Sequence, residues 1–186
     1  SVLAGGQDRA AQLTRDWLPE ALEAYPLKFY WFAQAGYVPH IWQATMHGAR
    51  NGDRLARFRH LVAGRRGGKT MSAAFEVAYY ATHPAEFHRD AHARDSSKPL
   101  WIWILTKDYP AGNPARRAFF ETLDAVGLVK NKDYTYNKTE QRVEFNDGTL
   151  VEFKTAVDPQ SLRGPGLDIL WIDEAAFITT AEAWNV

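Results

Sequence analysis

Apolar residues recur at roughly helical spacing over residues 8–24, with Pro19 marking a break or a new first turn. Residues 25–37 (YPLKFYWFAQAGY) are aromatic and close at a glycine. In the following VPHIWQATMHGARNG, Pro39 can open a short helix that stops near Gly48 or Gly52. Residues 57–63 (RFRHLVA) read as a strand, and Lys69 to Thr82 as a helix rich in alanine and aromatics. The polar segment 83–99 has no clear period and reads as a loop. LWIWILT, 100–106, is a continuous apolar run of strand length, as expected of a strand buried on both faces. Residues 113–127 form an amphipathic helical pattern ending at Gly127. QRVEF and TLVEFKTA flank Asn146-Asp147-Gly148, a hairpin signal because Asp-Gly tolerates the positive φ of tight turns. ILWID, 169–173, is a second buried strand.

Strands alternating with helices predict an α/β fold with a mostly parallel sheet, to which the hairpin adds an antiparallel element. Composition leaves this unchanged: 46% hydrophobic and 24% charged residues suit one globular core. The chain contains no cysteine, which excludes disulfides and thiolate metal sites. No apolar run has the length of a membrane-spanning helix, and Asp8 and Arg9 stand where a signal peptide would have its apolar core. A soluble, intracellular protein without a membrane partner is expected.

Charge does change the picture, though only locally. The formal net charge is zero, yet Arg50, Arg54, Arg57, Arg59, Arg65, Arg66 and Lys69 face a single acid, Asp53, between residues 50 and 70. Such a stretch suits an anionic ligand. Within it, AGRRGGKT (63–70) matches G-x-x-x-x-G-K-[ST] from Gly68 onward, with Ala63 in place of the first glycine. A predicted strand precedes it and a predicted helix starts inside it, the context this motif requires. Gly64, Gly67 and Gly68 would let backbone N–H groups cradle phosphate oxygens at a positively polarised helix N-terminus. Lys69 would reach the β- and γ-phosphates of ATP, and the Thr70 hydroxyl would ligate Mg2+. The bland alternative is a glycine-rich turn with surface arginines.

ILWIDEAAF, 169–177, supplies the complementary half. It places two carboxylates at the C-terminal end of a predicted strand, the edge where open α/β sheets bind ligands. Asp173 would hold the magnesium shell through water, and Glu174 would polarise an attacking water as general base. A glutamate beside that aspartate points to hydrolysis rather than phosphoryl transfer to a second substrate.

On AGRRGGKT, SLRGPGLDILWIDEAAF and the Pro-x-x-x-Gln of Pro39 to Gln43, the chain resembles the ATPase domain of the large terminase subunit, the DNA-packaging motor of tailed bacteriophages. The resemblance spans roughly residues 38–178. It implies a P-loop NTPase of the ASCE type at 38–186, with a helical segment at 1–37 packing on it. It further implies that Gln43 reads adenine, that Arg65 senses the γ-phosphate, and that Arg163 acts as an arginine finger on a neighbouring subunit's nucleotide. Arg66 reads as the solvated neighbour of Arg65, and the two could exchange roles. The implied partners are double-stranded DNA, a homo-oligomeric ring on a portal protein, and the small terminase subunit, in the cytoplasm of an infected bacterium. Such domains continue past the acidic pair into a coupling strand and a nuclease. With the sequence ending at Val186, an incomplete ATPase domain without nuclease activity is expected.

Weaker signals stay with plainer readings. His83, His88, His92, Asp90 and Asp95 are too loosely spaced for a metal site and read as a solvated loop. Lys107, Arg116 and Arg117 could meet DNA phosphates, but read first as solvated charge. Two other functions fit parts of the pattern. One is a helicase-like translocase, although the arginine in the loop and the absence of a Ser-Ala-Thr-like motif argue against it. The other is a nucleotide-binding assembly fragment without independent turnover.

Overall fold

The computed structural model describes residues 23–48, 58–63, 67–91, 98–110, 112–157, 162–163 and 166–178. The helical pattern of residues 8–22, Gly52, Gly64, Arg65, Arg66, His92 and Asp95 lie outside them. In chain order come helices α1 (Pro26–Gln34), α2 (Ile41–Met46), α3 (Lys69–Thr82) and α4 (Pro84–Asp90), then strand β1 (Trp101–Thr106) and helix α5 (Asn113–Ala125). Strands β2 (Tyr134–Asn137), β3 (Arg142–Phe145), β4 (Leu150–Thr155) and β5 (Ile169–Ile172) follow, and a 3-10 turn at Ala175–Phe177 closes the series.

The five strands form one sheet in the order β2-β3-β4-β1-β5. β1 pairs in parallel with both β4 and β5, whereas β2–β3 and β3–β4 are antiparallel. The sheet is therefore mixed, not mostly parallel: the expected hairpin is part of a three-stranded meander. Its turn is the predicted one, with Gly148 at φ 87° and its N–H bonded to the Phe145 carbonyl at 2.9 Å.

β1 needs to be apolar throughout because both of its faces are covered. Ile102 and Ile104 point into the main core with Val151, Phe153, Trp171, Phe119, Leu123, Ala74 and Ala78, beneath packed helices α3 and α5. Trp103 and Leu105, one residue out of phase, join Ala156, Leu162 and Ile178 on the opposite face. α1 adds Phe29 and Phe32 to the main core, and the stacked Tyr37–Phe75 pair (ring centroids 4.0 Å apart) ties the segment after α1 to α3.

Three expectations fail for physical reasons. Residues 59–63 pair with none of the described strands, and Val62 is 94% exposed. The apolar run Leu61-Val62-Ala63 suits a strand, but a ladder exists only where a neighbour offers its edge. β5 is an edge strand among the described residues, and Leu170 is 48% exposed where full burial was expected. Within the predicted loop 83–99 lies α4, started by Pro84 at its first turn. Its buried residues are polar, His88 and Asp90, and Phe87 alone adds an apolar contact to the core, so no apolar period announces it. Asp90 accepts a hydrogen bond from the buried Tyr80 hydroxyl at 2.8 Å, and the His83 ring stacks on Tyr79. This half of the segment is accordingly packed rather than solvated. Among the described residues no cluster of three or more acids and histidines is placed to hold a metal ion.

Candidate nucleotide site

Helix α3 starts at Lys69 from an N-cap, Gly68, in the left-handed conformation (φ 75°, ψ 17°). Glycine suits the position chiefly through its backbone freedom. A side chain would be strained at that φ, and a Cβ would lie 2.8 Å from the Gln43 amide nitrogen. Lys69 folds back over the turn, and its Nζ donates to the Ala63 carbonyl at 2.7 Å. The turn is thus closed by its own lysine, which leads the amine back to where the segment 59–63 enters. No acid occupies the first turn of α3, so its positive end is not neutralised from within the helix.

Thr70 makes the long-range contact. Its hydroxyl donates to Asp173 Oδ1 at 3.3 Å across 103 residues of sequence. Asp173 is placed there by the sheet: its N–H bonds to the Leu105 carbonyl at 3.0 Å, extending the β1–β5 register one residue past β5. Burial pushes the Asp173 carboxyl above its ordinary pKa and the Glu174 charge adds to this, while the Thr70 hydroxyl and the Lys69 charge pull it down. A carboxylate so placed gains from a cation. Hard oxygen donors from a hydroxyl and a carboxylate, at the mouth of a helix N-terminus, fit a magnesium–phosphate group.

Glu174 is exposed and adopts a left-handed conformation (φ 53°, ψ 47°), an unfavourable state for a residue with a Cβ. The bend turns the chain sharply off the strand, and the Phe177 N–H closes it on the Glu174 carbonyl at 2.9 Å. The second carboxyl is thereby left in solvent beside the first.

The remaining candidates divide. Gln43 stands against Gly68 but is buried, and its Oε1 accepts from the His40 N–H at 2.6 Å at the start of α2. Arg163 is exposed between β4 and β5. Gly67 is described beside Gly68, whereas Gly64, Arg65 and Arg66 are not. Of the basic residues read as surface charge, Lys107 is exposed and Arg117 pairs with Glu121 at 2.6 Å on the exposed face of α5. Arg116 instead links α5 to Gln141, at 2.7 Å. A cavity of about 480 Å³ lies between α2 and the entering segment, lined by Trp42, Met46, Arg59, Leu61, Val62 and Ala63 among others.

The sequence reading missed a buried cluster around Glu76, in the middle of α3. Lys28 Nζ (3.2 Å) and Arg59 (2.5 Å) share its Oε1, and His47 Nδ1 stands 2.7 Å from its Oε2. Lys28 also donates to the Tyr80 hydroxyl at 2.7 Å and the His47 carbonyl at 3.3 Å, so all three ammonium protons have acceptors. Burial opposes charge on Glu76, but Lys28, Arg59 and His47 outweigh it and hold the carboxyl well below the usual range. For His47 burial wins, and the imidazole sits below its ordinary value despite Glu76. The available signal was a glutamate inside the otherwise apolar run AAFEVAYYA.

No family model and no curated protein sequence matches the chain. Solved structures do. The large terminase ATPase domain of Thermus phage P74-26 superimposes with a TM-score of 0.59 at 22% identity, over 83% of this chain and 60% of that one. A mutant of the same domain, with one arginine changed to alanine, superimposes with a TM-score of 0.59 at 20% identity over the same shares. The chain thus spans about three fifths of the length of those domains and shares their fold.

Proposed function

We propose that this chain is the ATPase part of a viral DNA-packaging terminase and binds ATP with Mg2+ where α3 meets β5. The observation that carries the reading is the Thr70–Asp173 hydrogen bond. It brings the two separately recognised halves of a nucleotide site within contact distance at the edge of a sheet. The terminase-like fold supports the packaging role.

In this reading the N–H groups of Gly68, Lys69 and Thr70 receive the phosphates, and the Lys69 amine exchanges its Ala63 carbonyl for phosphate oxygen. Thr70 and Asp173 would hold the metal, Thr70 through its hydroxyl and Asp173 through water. When bound, the metal would offset negative charge on the β- and γ-phosphates. Glu174, exposed and adjacent to that shell, would take the proton of the attacking water. Gln43 would recognise the base and Arg65 the γ-phosphate, with Arg66 as its alternate. Arg163 projects from the surface and would serve the nucleotide of a neighbouring subunit in a ring. Double-stranded DNA, a portal and a small subunit are the corresponding partners.

Mg2+-dependent release of phosphate from ATP tests this. Lys69→Ala is expected to lose binding, and Glu174→Gln to bind ATP without turning it over. Arg163→Ala should bind normally but hydrolyse slowly, with partial rescue when mixed with Glu174→Gln subunits. Unchanged turnover in Lys69→Ala would end the proposal.

A further inference from the structure

The Gly68 carbonyl accepts two hydrogen bonds from one residue, the Ser72 N–H and the Ser72 hydroxyl, each at 2.9 Å. The buried Ser72 hydroxyl in turn accepts from the Tyr37 hydroxyl at 3.1 Å. That hydroxyl lies 3.1 Å from His47 Nε2, and His47 Nδ1 lies 2.7 Å from Glu76 Oε2. A hydrogen-bonded chain therefore leaves α3 at Glu76, passes through the segments after α1 and α2, and returns to α3 at Ser72, ending on the carbonyl of its N-cap, Gly68.

The same carboxylate also reaches the other end of the turn. Arg59 bonds Glu76 and the Met46 carbonyl (2.9 Å), and it begins the short segment that ends at Ala63, the acceptor of the Lys69 amine. Entry and exit of the phosphate turn are thus tied to one buried side chain. The exit tie has a directional consequence. The Gly68 carbonyl and the Lys69 N–H are opposite ends of one planar peptide. Holding the carbonyl toward the helix interior turns the N–H outward, to where a phosphate would sit.

We propose that Glu76 is a positioning residue for the phosphate turn, acting at its entry through Arg59 and at its exit through His47, Tyr37 and Ser72. This deepens the nucleotide-binding reading and rests on it. Packing alone gives no reason for the polar chain: alanine at position 72 would favour the helix more, and phenylalanine at 37 would keep the stack on Phe75. The helix's own Ser72 N–H bond sets the direction of the Gly68–Lys69 peptide, and the chain adds a second, side-chain hold on it through the Ser72 hydroxyl, which bulk hydrophobic contact cannot do.

The test is a double-mutant cycle on the affinity for Mg2+–ATPγS, measured by titration calorimetry. Tyr37→Phe and Ser72→Ala each break the exit tie and should weaken binding by about three- to tenfold, the worth of one neutral hydrogen bond. The double variant should be no weaker than the worse single one, because both cut the same chain. Phe75→Leu removes the stacking partner of Tyr37 but no polar link. It should lower the melting temperature at least as far as Tyr37→Phe does, with affinity unchanged. Wild-type affinity in Tyr37→Phe, additive losses in the double variant, or an equal loss in Phe75→Leu would overturn the proposal. Lys69→Ala run alongside separates the two levels. Full binding in that variant refutes the phosphate site itself, whereas its loss beside an unchanged Tyr37→Phe refutes only the positioning role.

Discussion

Glu76→Gln keeps the shape of the buried side chain and removes its charge. The amide oxygen can still accept from Lys28 and Arg59 in the Oε1 position, but the two cations then have no carboxylate between them. Lys28 is 1% exposed, so water cannot compensate. Removing one partner from such a buried group costs about 3–5 kcal/mol. Lys28→Met is the informative contrast, because Glu76 would keep Arg59 and His47. It loses three hydrogen bonds, to Glu76, Tyr80 and the His47 carbonyl, but it also removes a buried cation whose desolvation offsets part of that loss, so its net cost should be about 1–3 kcal/mol. Urea unfolding followed by circular dichroism should therefore rank Glu76→Gln as the more damaging change. At about 2–4 °C per kcal/mol for a chain of this size, its melting temperature should fall by about 6–20 °C. The pH dependence carries the sign. A carboxyl held below its unfolded pKa stabilises the fold fully above that value, and this stabilisation drains away as pH falls from about 4.5 towards the folded value. Glu76→Gln should flatten this acid limb. A cost under about 1 kcal/mol, or a smaller cost than that of Lys28→Met, would refute the ion-centred account of the core.

Three further outcomes follow from the site. Gly68→Ala should destabilise the fold by about 1–2 kcal/mol through its left-handed backbone alone, measured by the same unfolding assay. Glu174→Gly should do the reverse, stabilising by up to about 1 kcal/mol while ATP turnover disappears, because a strained backbone is relaxed at the expense of the base. Asp173→Asn should raise the melting temperature near neutral pH. The folded carboxyl has a raised pKa, so its charge costs stability above that value, and the variant's advantage should shrink as pH falls through it.

Much of the frame was legible because local signals and tertiary demands agreed. β1 is a continuous apolar run because both faces are covered, and the Asp147-Gly148 turn forms because its backbone requirement is local. The boundaries of α3 follow from glycines before Lys69 and the break at His83. What was hidden depends on partners. Whether 59–63 joins a sheet is decided by a neighbouring edge, not by its own apolar residues. α4 hides because its buried residues are His88 and Asp90, polar groups that periodicity counts as surface. The acids and the lysine of the candidate site could be chosen from motif spacing, but the contact between Thr70 and Asp173 required the fold. The Glu76 cluster was the least visible feature. Its members, Lys28, His47, Arg59 and Glu76, come from α1, the C-terminal end of α2, the segment at Arg59 and α3, and no short stretch contains more than one of them.

A crystal structure of the chain with Mg2+ and ATPγS would test the central claim most directly. The terminal phosphates should lie against the N–H groups of Gly68, Lys69 and Thr70, with the metal on the Thr70 hydroxyl and a metal-bound water on Asp173. Triphosphate bound away from the N-terminus of α3, or a metal with neither Thr70 nor Asp173 in its coordination sphere, would contradict it.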